Sequence, residues 1–190
     1  MAKQLLKTCT LLIGILAIMI SCGAPESDHT DPVVTVDPVI TTLILVRHAE
    51  KVQDGSPDPV LTEKGTARAA LLADMVREAD VDAIYTTPYE RNRLTVRPTA
   101  ETLGLTAEEY DPSGDPQAFL DEVIEKHKGK KVLIAGHSNT VPHLLNALVG
   151  DEQYQDLPDS AYDNLYMVSA TETGSGVVTN LQFSPAQADK

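Results

Sequence analysis

Tryptophan is absent from this chain, and six tyrosines and two phenylalanines make up its whole aromatic complement. That is too few for the stacking platforms on which single-stranded nucleic acids are bound. Cations are scarce as well: 15 lysines and arginines stand against 28 aspartates and glutamates, a formal net charge of −13, which repels a nucleic-acid backbone. Cysteine occurs only at Cys9 and Cys22, so no disulfide framework or thiolate metal cluster is available. The apolar run Leu11 to Ile20 is too short to span a bilayer comfortably. What remains is an acidic chain of 190 residues, enough for one domain with extensions. Any anionic ligand must be held by a local cluster of cations working against the global field, which makes each arginine near a cleft informative.

Lys3 and Lys7 precede the apolar run, and residues 1–21 read as a secretory signal. The sequence Met19-Ile20-Ser21-Cys22-Gly23 resembles the lipobox of bacterial lipoproteins, with Met19 where leucine is usual. That resemblance implies lipidation of Cys22, which becomes the mature N-terminus, and a bacterial lipoprotein held in the cell envelope at its periplasmic or surface face. Removing residues 1–21 also removes Cys9, so no free thiol remains. Pro25, Pro32 and Pro38 stand among Glu26, Asp28, Asp31 and Asp37 with little apolar content, and residues 22–41 read as a tether to a folded domain at 42–190.

The stretch Leu43-Ile44-Leu45-Val46-Arg47-His48-Ala49-Glu50 organises that domain. Its apolar run predicts a strand buried on both faces. Arg47 and His48 arrive at the strand's C-terminal end, where ligands bind in open α/β sheets. A fixed guanidinium beside a titratable imidazole suits an anionic substrate. Ala67, Ala70, Leu71, Met75 and Val76 recur at helical spacing after Thr62, a suitable N-cap. Ala83 to Thr87 predicts a short strand stopped by Pro88. A helix from about Tyr89 to Gly104 follows, with Arg91 in its first turn and Pro98 expected to kink or interrupt it. Phe119, Leu120, Val123 and Ile124 mark a third helix. Lys131 to Gly136 predicts another buried strand with His137 at its end, and Ser138-Asn139 caps a helix through Leu148, closed by Gly150. Leu165 to Ala170 and Val177 to Phe183 predict a hairpin. The alternating order implies an α/β fold, a three-layer sandwich with a mostly parallel sheet flanked by helices, in which Arg47, His48, Arg91 and His137 reach one edge of the sheet.

Strand, Arg47-His48-Ala49-Glu50, then Leu61-Thr62-Glu63-Lys64-Gly65, Thr86-Thr87-Pro88-Tyr89-Glu90-Arg91 and Gly136-His137-Ser138 resembles, in this order, the histidine phosphatase superfamily, also called phosphoglycerate mutase-like. The resemblance covers roughly Leu43 to Leu148. It implies that His48 is the nucleophile, forming a phosphohistidine that water hydrolyses. It further implies that Arg47, Arg91 and His137 hold the phosphoryl oxygens, with backbone N–H groups at Ser138 and beyond adding to the site. No metal or other cofactor is expected, because two arginines and a charged histidine supply the neutralising charge. Glu50 is expected to support the loop, and Arg93 and Arg97 to face solvent or form ion pairs. The partner implied is a phosphorylated small molecule or phosphoprotein.

An alkoxide leaving group needs an acid, and Asp111 and Asp115 are the candidate proton donors, although aspartate also favours such turns. Ser113-Gly114-Asp115-Pro116 resembles the short loops of the phosphohistidine phosphatase branch. Phosphohistidine or phosphoprotein hydrolysis, a phosphoglycerate mutase-type transfer and a catalytically weak phospho-ligand binder are therefore the alternatives. The mutases use long insertions that this chain lacks. Gly136-His137-Ser138-Asn139-Thr140 also approximates a Gly-x-Ser-x-Gly nucleophile elbow, but the one later histidine, His143, lies on the helix that would follow it. His137 and His143 would sit about 120° apart around a helix, which leaves no tight metal-ligand cluster. His29 and His127 read as solvated. The expected activity is a metal-independent phosphomonoester hydrolase.

Overall fold

The computed structural model describes residues 37–185. Residues 1–21, expected to be a signal, Cys22 and the expected tether as far as residue 36 lie outside the described residues. The chain runs β1 (Thr41–Arg47), α1 (Glu63–Val76), β2 (Ala83–Thr86), α2 (Glu90–Leu103), β3 (Ala107–Glu109), α3 (Pro116–Lys126), β4 (Lys131–Gly136), α4 (Thr140–Val149), β5 (Asn164–Ala170) and β6 (Val177–Gln182). Strand β1 begins at Thr41, earlier than the expected Leu43, because Thr41 pairs with Ala170 and its hydroxyl accepts a hydrogen bond from Gly129 N at 3.1 Å.

The strands form one sheet in the order β3-β2-β4-β1-β5-β6. The pairs β2–β3, β2–β4 and β1–β4 are parallel, whereas β5 runs antiparallel to β1 and to β6. The alternating side chains of β1 and β4 explain the layers. Leu43, Leu45, Val132 and Ile134 pack with Leu120, Val123, Leu144 and Leu148 of α3 and α4. Their neighbours Ile44, Val46, Leu133 and Ala135 pack with Leu72, Val76 and Val96 of α1 and α2. Both faces of the central strands are thus covered, and each fully buried Leu or Ile contributes about 1.5–3 kcal/mol. The connections through α1 and α2 step toward one edge of the sheet and that through α3 steps back. Right-handed crossovers then put the helices on opposite faces.

Three further elements differ from expectation. Strand β3 was not foreseen, because Ala-Glu-Glu carries no apolar alternation; its place comes from parallel pairing with β2 and from Arg93 Nη2, 2.7 Å from Glu109. Helix α2 runs through Pro98 to Leu103. The missing N–H frees the Leu94 carbonyl, while Asn92, Thr95, Val96 and Thr99 keep the helix buried on both sides of that position. Helix α4 starts at Thr140 with no side-chain cap from Asn139; the Thr140 hydroxyl instead accepts from His137 N at 2.7 Å.

Helix α1 is docked on the end of β1 by two devices. Thr62 caps it, accepting from Gly65 N at 3.0 Å, and a Cβ on Gly65 would come within 2.2 Å of the Glu50 carbonyl oxygen. Glu50 itself takes a two-pronged ion pair from buried Arg68, at 2.9 and 2.8 Å, with Lys64 at 3.2 Å. Burial works to raise the Glu50 carboxyl, but hydrogen bonds from Arg68, its own backbone N–H and Lys64 outweigh it and hold the pKa at about 2.

Glu50→Ala leaves the Arg68 guanidinium buried and unpaired, and is expected to lower stability by about 3 kcal/mol in urea unfolding at constant m-value. A carboxyl depressed in the fold contributes stability that is present above its unfolded value of 4.5 and lost as pH falls toward about 2. In Glu50→Gln, stability measured across that window declines less steeply than in the parent.

Candidate active site

Register creates the site. Arg47 of β1 lies opposite Gly136 of β4, so the next residues of two adjacent parallel strands, His48 and His137, leave the sheet side by side. His48 N donates to the Gly136 carbonyl at 2.9 Å, and the two imidazole centroids are 5.5 Å apart. On the other side of β4, the chain leaving β2 passes Thr87, whose hydroxyl is 3.0 Å from His137 Nε2. It then enters α2, whose first turn carries Arg91 with Nη2 3.5 Å from His137 Nδ1. Arg47, His48, Arg91 and His137 line one cleft of about 420 Å³, together with Ser138.

The tautomers follow from the partners. His48 Nδ1 is 2.8 Å from the Ala49 carbonyl, which can only accept, so Nδ1 bears the proton and Nε2 keeps its lone pair. Burial, only partly opposed by that bond and reinforced by Arg47, His137 and Arg91, pushes the His48 pKa down to about 3. At His137, Arg91 donates to Nδ1, so Nε2–H donates to Thr87. Burial, then Arg91 and Arg47, lower its pKa to about 4. At neutral pH the unliganded cleft holds two guanidinium cations and two neutral imidazoles.

Each guanidinium is built in. Arg47 is 5 % exposed; its Nη1 donates to the carbonyls of Pro158, Asp159 and Ala161 at 2.8, 3.2 and 3.2 Å, and it lies 4.3 Å from the Tyr162 ring centre. Burial lowers its pKa from the usual guanidinium value, against the pull of Tyr162 and Asp159. Arg91 lies 4.4 Å over the Tyr89 ring. Its Nη1 is 3.4 Å from Asp58, which also accepts from Glu90 N at the start of α2. The Nε groups of both arginines are buried and have no hydrogen-bond partner among the described residues. Two cations with free donors beside an unprotonated nitrogen can grip a tetrahedral oxyanion and present it to a nucleophile.

The candidate proton donors are placed elsewhere. Asp111 accepts from Ser113 N at 2.9 Å and from the Ser113 hydroxyl at 2.7 Å, and these bonds hold its carboxyl below the usual range. Asp115 caps α3, accepting from Gln117 N at 2.9 Å. Neither lines the His48 cleft. Turn and cap chemistry accounts for both. His127, expected in solvent, is half-buried with Nε2 3.0 Å from the Tyr85 hydroxyl. Arg93 and Arg97 pair with acids as expected. Thr87, Asp58, Tyr162 and Asp159 were missed. Thr87 lay inside a recognised motif, whereas the loop bearing Asp159 and Tyr162 has no periodicity or motif to point to it.

Residues 43–112 match the family model described as histidine phosphatase superfamily (branch 1). Over that stretch, 70 of its 190 residues, the chain is similar to the histidine phosphatase superfamily. Phosphoserine phosphatase 1 of Hydrogenobacter thermophilus (strain DSM 6534 / IAM 12695 / TK-6) is 39% identical over 97 residues, 45% of this chain and 46% of that protein. The chain thus aligns with about half the length of that curated relative. Among solved structures, the fold is similar to the protein histidine phosphatase SixA complexed with tungstate, at TM-score 0.62 and 22% identity, over 76% of this chain and 97% of that one. It is also similar to Bacillus stearothermophilus YhfR, at TM-score 0.60 and 18% identity, over 73% and 95%. At these identities both likenesses speak to the fold alone, the mostly parallel sheet flanked by helices.

Proton NMR of the two ring C–H groups tests the electrostatics. The His48 and His137 resonances are expected to stay nearly flat from pH 8 to 5 and to move only toward about 3 and about 4, respectively; a midpoint near 6.5 for either ring contradicts the burial argument.

Proposed function

We propose that this chain is a phosphomonoester hydrolase that needs no metal and works through a phosphohistidine on His48. The observation that carries the reading is the convergence of Arg47, Arg91 and His137 on the cleft of His48, whose Nε2 is unprotonated, with the buried Nε groups of both arginines left without a partner among the described residues. Such groups are costly unless a ligand satisfies them.

In the mechanism, Arg47, Arg91 and His137 hold the three equatorial oxygens of the transferring phosphoryl group. His48 Nε2 attacks phosphorus in line as the P–O bond to the alcohol breaks. The Nδ1–H bond to Ala49 keeps the ring oriented, so Nε2 needs no base to free its lone pair. A bound dianion favours protonation of His137, which supplies a third cation only when it is needed. Backbone N–H groups from Ser138 onward add donors near the start of α4. Water then attacks the phosphohistidine and releases phosphate. The relative named a phosphoserine phosphatase supports an ester of a small hydroxylated molecule as substrate. The signal-like residues 1–21 and the lipobox-like pattern at Cys22 support a lipid-anchored enzyme of the bacterial cell envelope.

Hydrolysis of p-nitrophenyl phosphate by the purified protein, unchanged by EDTA, is the expected result, with kcat/KM reduced by at least about 10³-fold in His48→Ala. Activity that survives His48→Ala contradicts the nucleophile, and inhibition by EDTA contradicts the metal-free mechanism. Detergent-phase partitioning of the full chain expressed in bacteria is expected to disappear in Cys22→Ala; partitioning that persists removes the lipid anchor.

A further inference from the structure

We infer that Asp159, in the loop between α4 and β5, is the general acid for the leaving-group oxygen, an inference that rests on the phosphatase reading above. Of the described residues lining the His48 cleft, Asp159 is the one carboxylate. His48 is 3 % exposed at the floor, whereas the Asp159 side chain stands fully open to solvent at the mouth. In-line attack from the floor sends the leaving oxygen toward the mouth, which is where a donor has to be.

The backbone that carries Asp159 is clamped to the phosphate-binding machinery. The Asp159 carbonyl and those of Pro158 and Ala161 are gripped by Arg47 Nη1, and Leu157 N donates to the Ser138 carbonyl at 2.8 Å. Only the side chain is left free to turn. Its Oδ1 lies 3.8 Å from Arg47 Nη2, so the guanidinium that grips an equatorial oxygen also brings the carboxyl beside the bridging oxygen. Other donors fit less well. Ser113 commits its one hydroxyl proton to Asp111, and Asp111 and Asp115 are used in the turn and the cap of α3.

The steps balance. As the bond from His48 Nε2 to phosphorus forms and the P–O bond breaks, the Asp159 proton passes to the departing alkoxide, giving a neutral alcohol and a carboxylate. In the second half, that carboxylate takes a proton from the water attacking the phosphohistidine. Phosphate leaves and the acid is regenerated.

The test compares kcat/KM, which reports the steps through P–O cleavage, for an alkyl ester such as glycerol phosphate and an aryl ester such as p-nitrophenyl phosphate, in wild type, Asp159→Asn and Asp159→Glu. Asp159→Asn is expected to fall by about 10²-fold or more on the alkyl ester and less than tenfold on the aryl ester, with Asp159→Glu recovering part of the alkyl rate. An equal loss on both esters shows that the side chain acts by positioning Arg47 and overturns the proposal. No loss on either overturns it too, as does a larger alkyl-selective loss in Lys51→Met or Tyr89→Phe, two other side chains of the cleft. Failure of the phosphatase reading is distinguishable, since wild-type protein would then show no His48-dependent hydrolysis of either ester and both claims would fall.

Discussion

The pairing of β1 with β4, in parallel and with Arg47 level with Gly136, is the constraint on which the cleft depends. Two neighbouring parallel strands that end together must release their next residues side by side. His48 and His137 are those residues. The register is itself held by the two-sided burial of Leu43 to Val46 and Val132 to Ala135. A slip of one residue would move every one of these side chains to the opposite helical layer. The energy that fixes the geometry of the cleft is thus mostly ordinary hydrophobic burial in the sheet, not contacts within the site.

Within the site, the balance of forces runs the other way. Two guanidiniums are placed close together and largely out of water, each backed by a tyrosine ring, in a protein whose overall charge is strongly negative. Buried donors left without partners cost about 1–3 kcal/mol each, a noticeable share of a domain stability of about 5–15 kcal/mol. The surrounding structure bears that cost: carbonyls of the α4–β5 loop wrap Arg47, Asp58 steadies Arg91, and the imidazoles stay neutral so that no further positive charge is crowded in. An oxyanion that satisfies the free donors offsets the strain, which is how a cleft in an acidic protein can favour a dianion.

Much of this was legible in the sequence where a residue's role is set locally. The apolar runs of β1 and β4, the Thr62 cap, Arg91 in the first turn of α2, and the two histidines at strand ends all follow from short-range pattern. What was not legible depends on partners far away in the chain. Strand β3 exists because β2 offers it an edge. The protonation of His137 is set by burial and by Arg47 and Arg91, not by its neighbours in sequence. Asp111 and Asp115 looked like acids for catalysis because they follow α2 in a loop, yet the same loop uses them as turn and cap acceptors. Asp159 reaches the cleft because Arg47, more than a hundred positions earlier, holds its backbone.

The central claim is that these distant side chains make one site for a tetrahedral dianion. A crystal structure of the protein soaked with tungstate tests it most directly. The account predicts one oxyanion bonded by Arg47 and Arg91 through the Nε groups that are unpaired in the free protein, with His48 Nε2 aimed at the central atom along the line toward the mouth and His137 in contact. A tungstate that binds elsewhere, or that leaves both Nε groups unpaired and His48 Nε2 turned away, would contradict it.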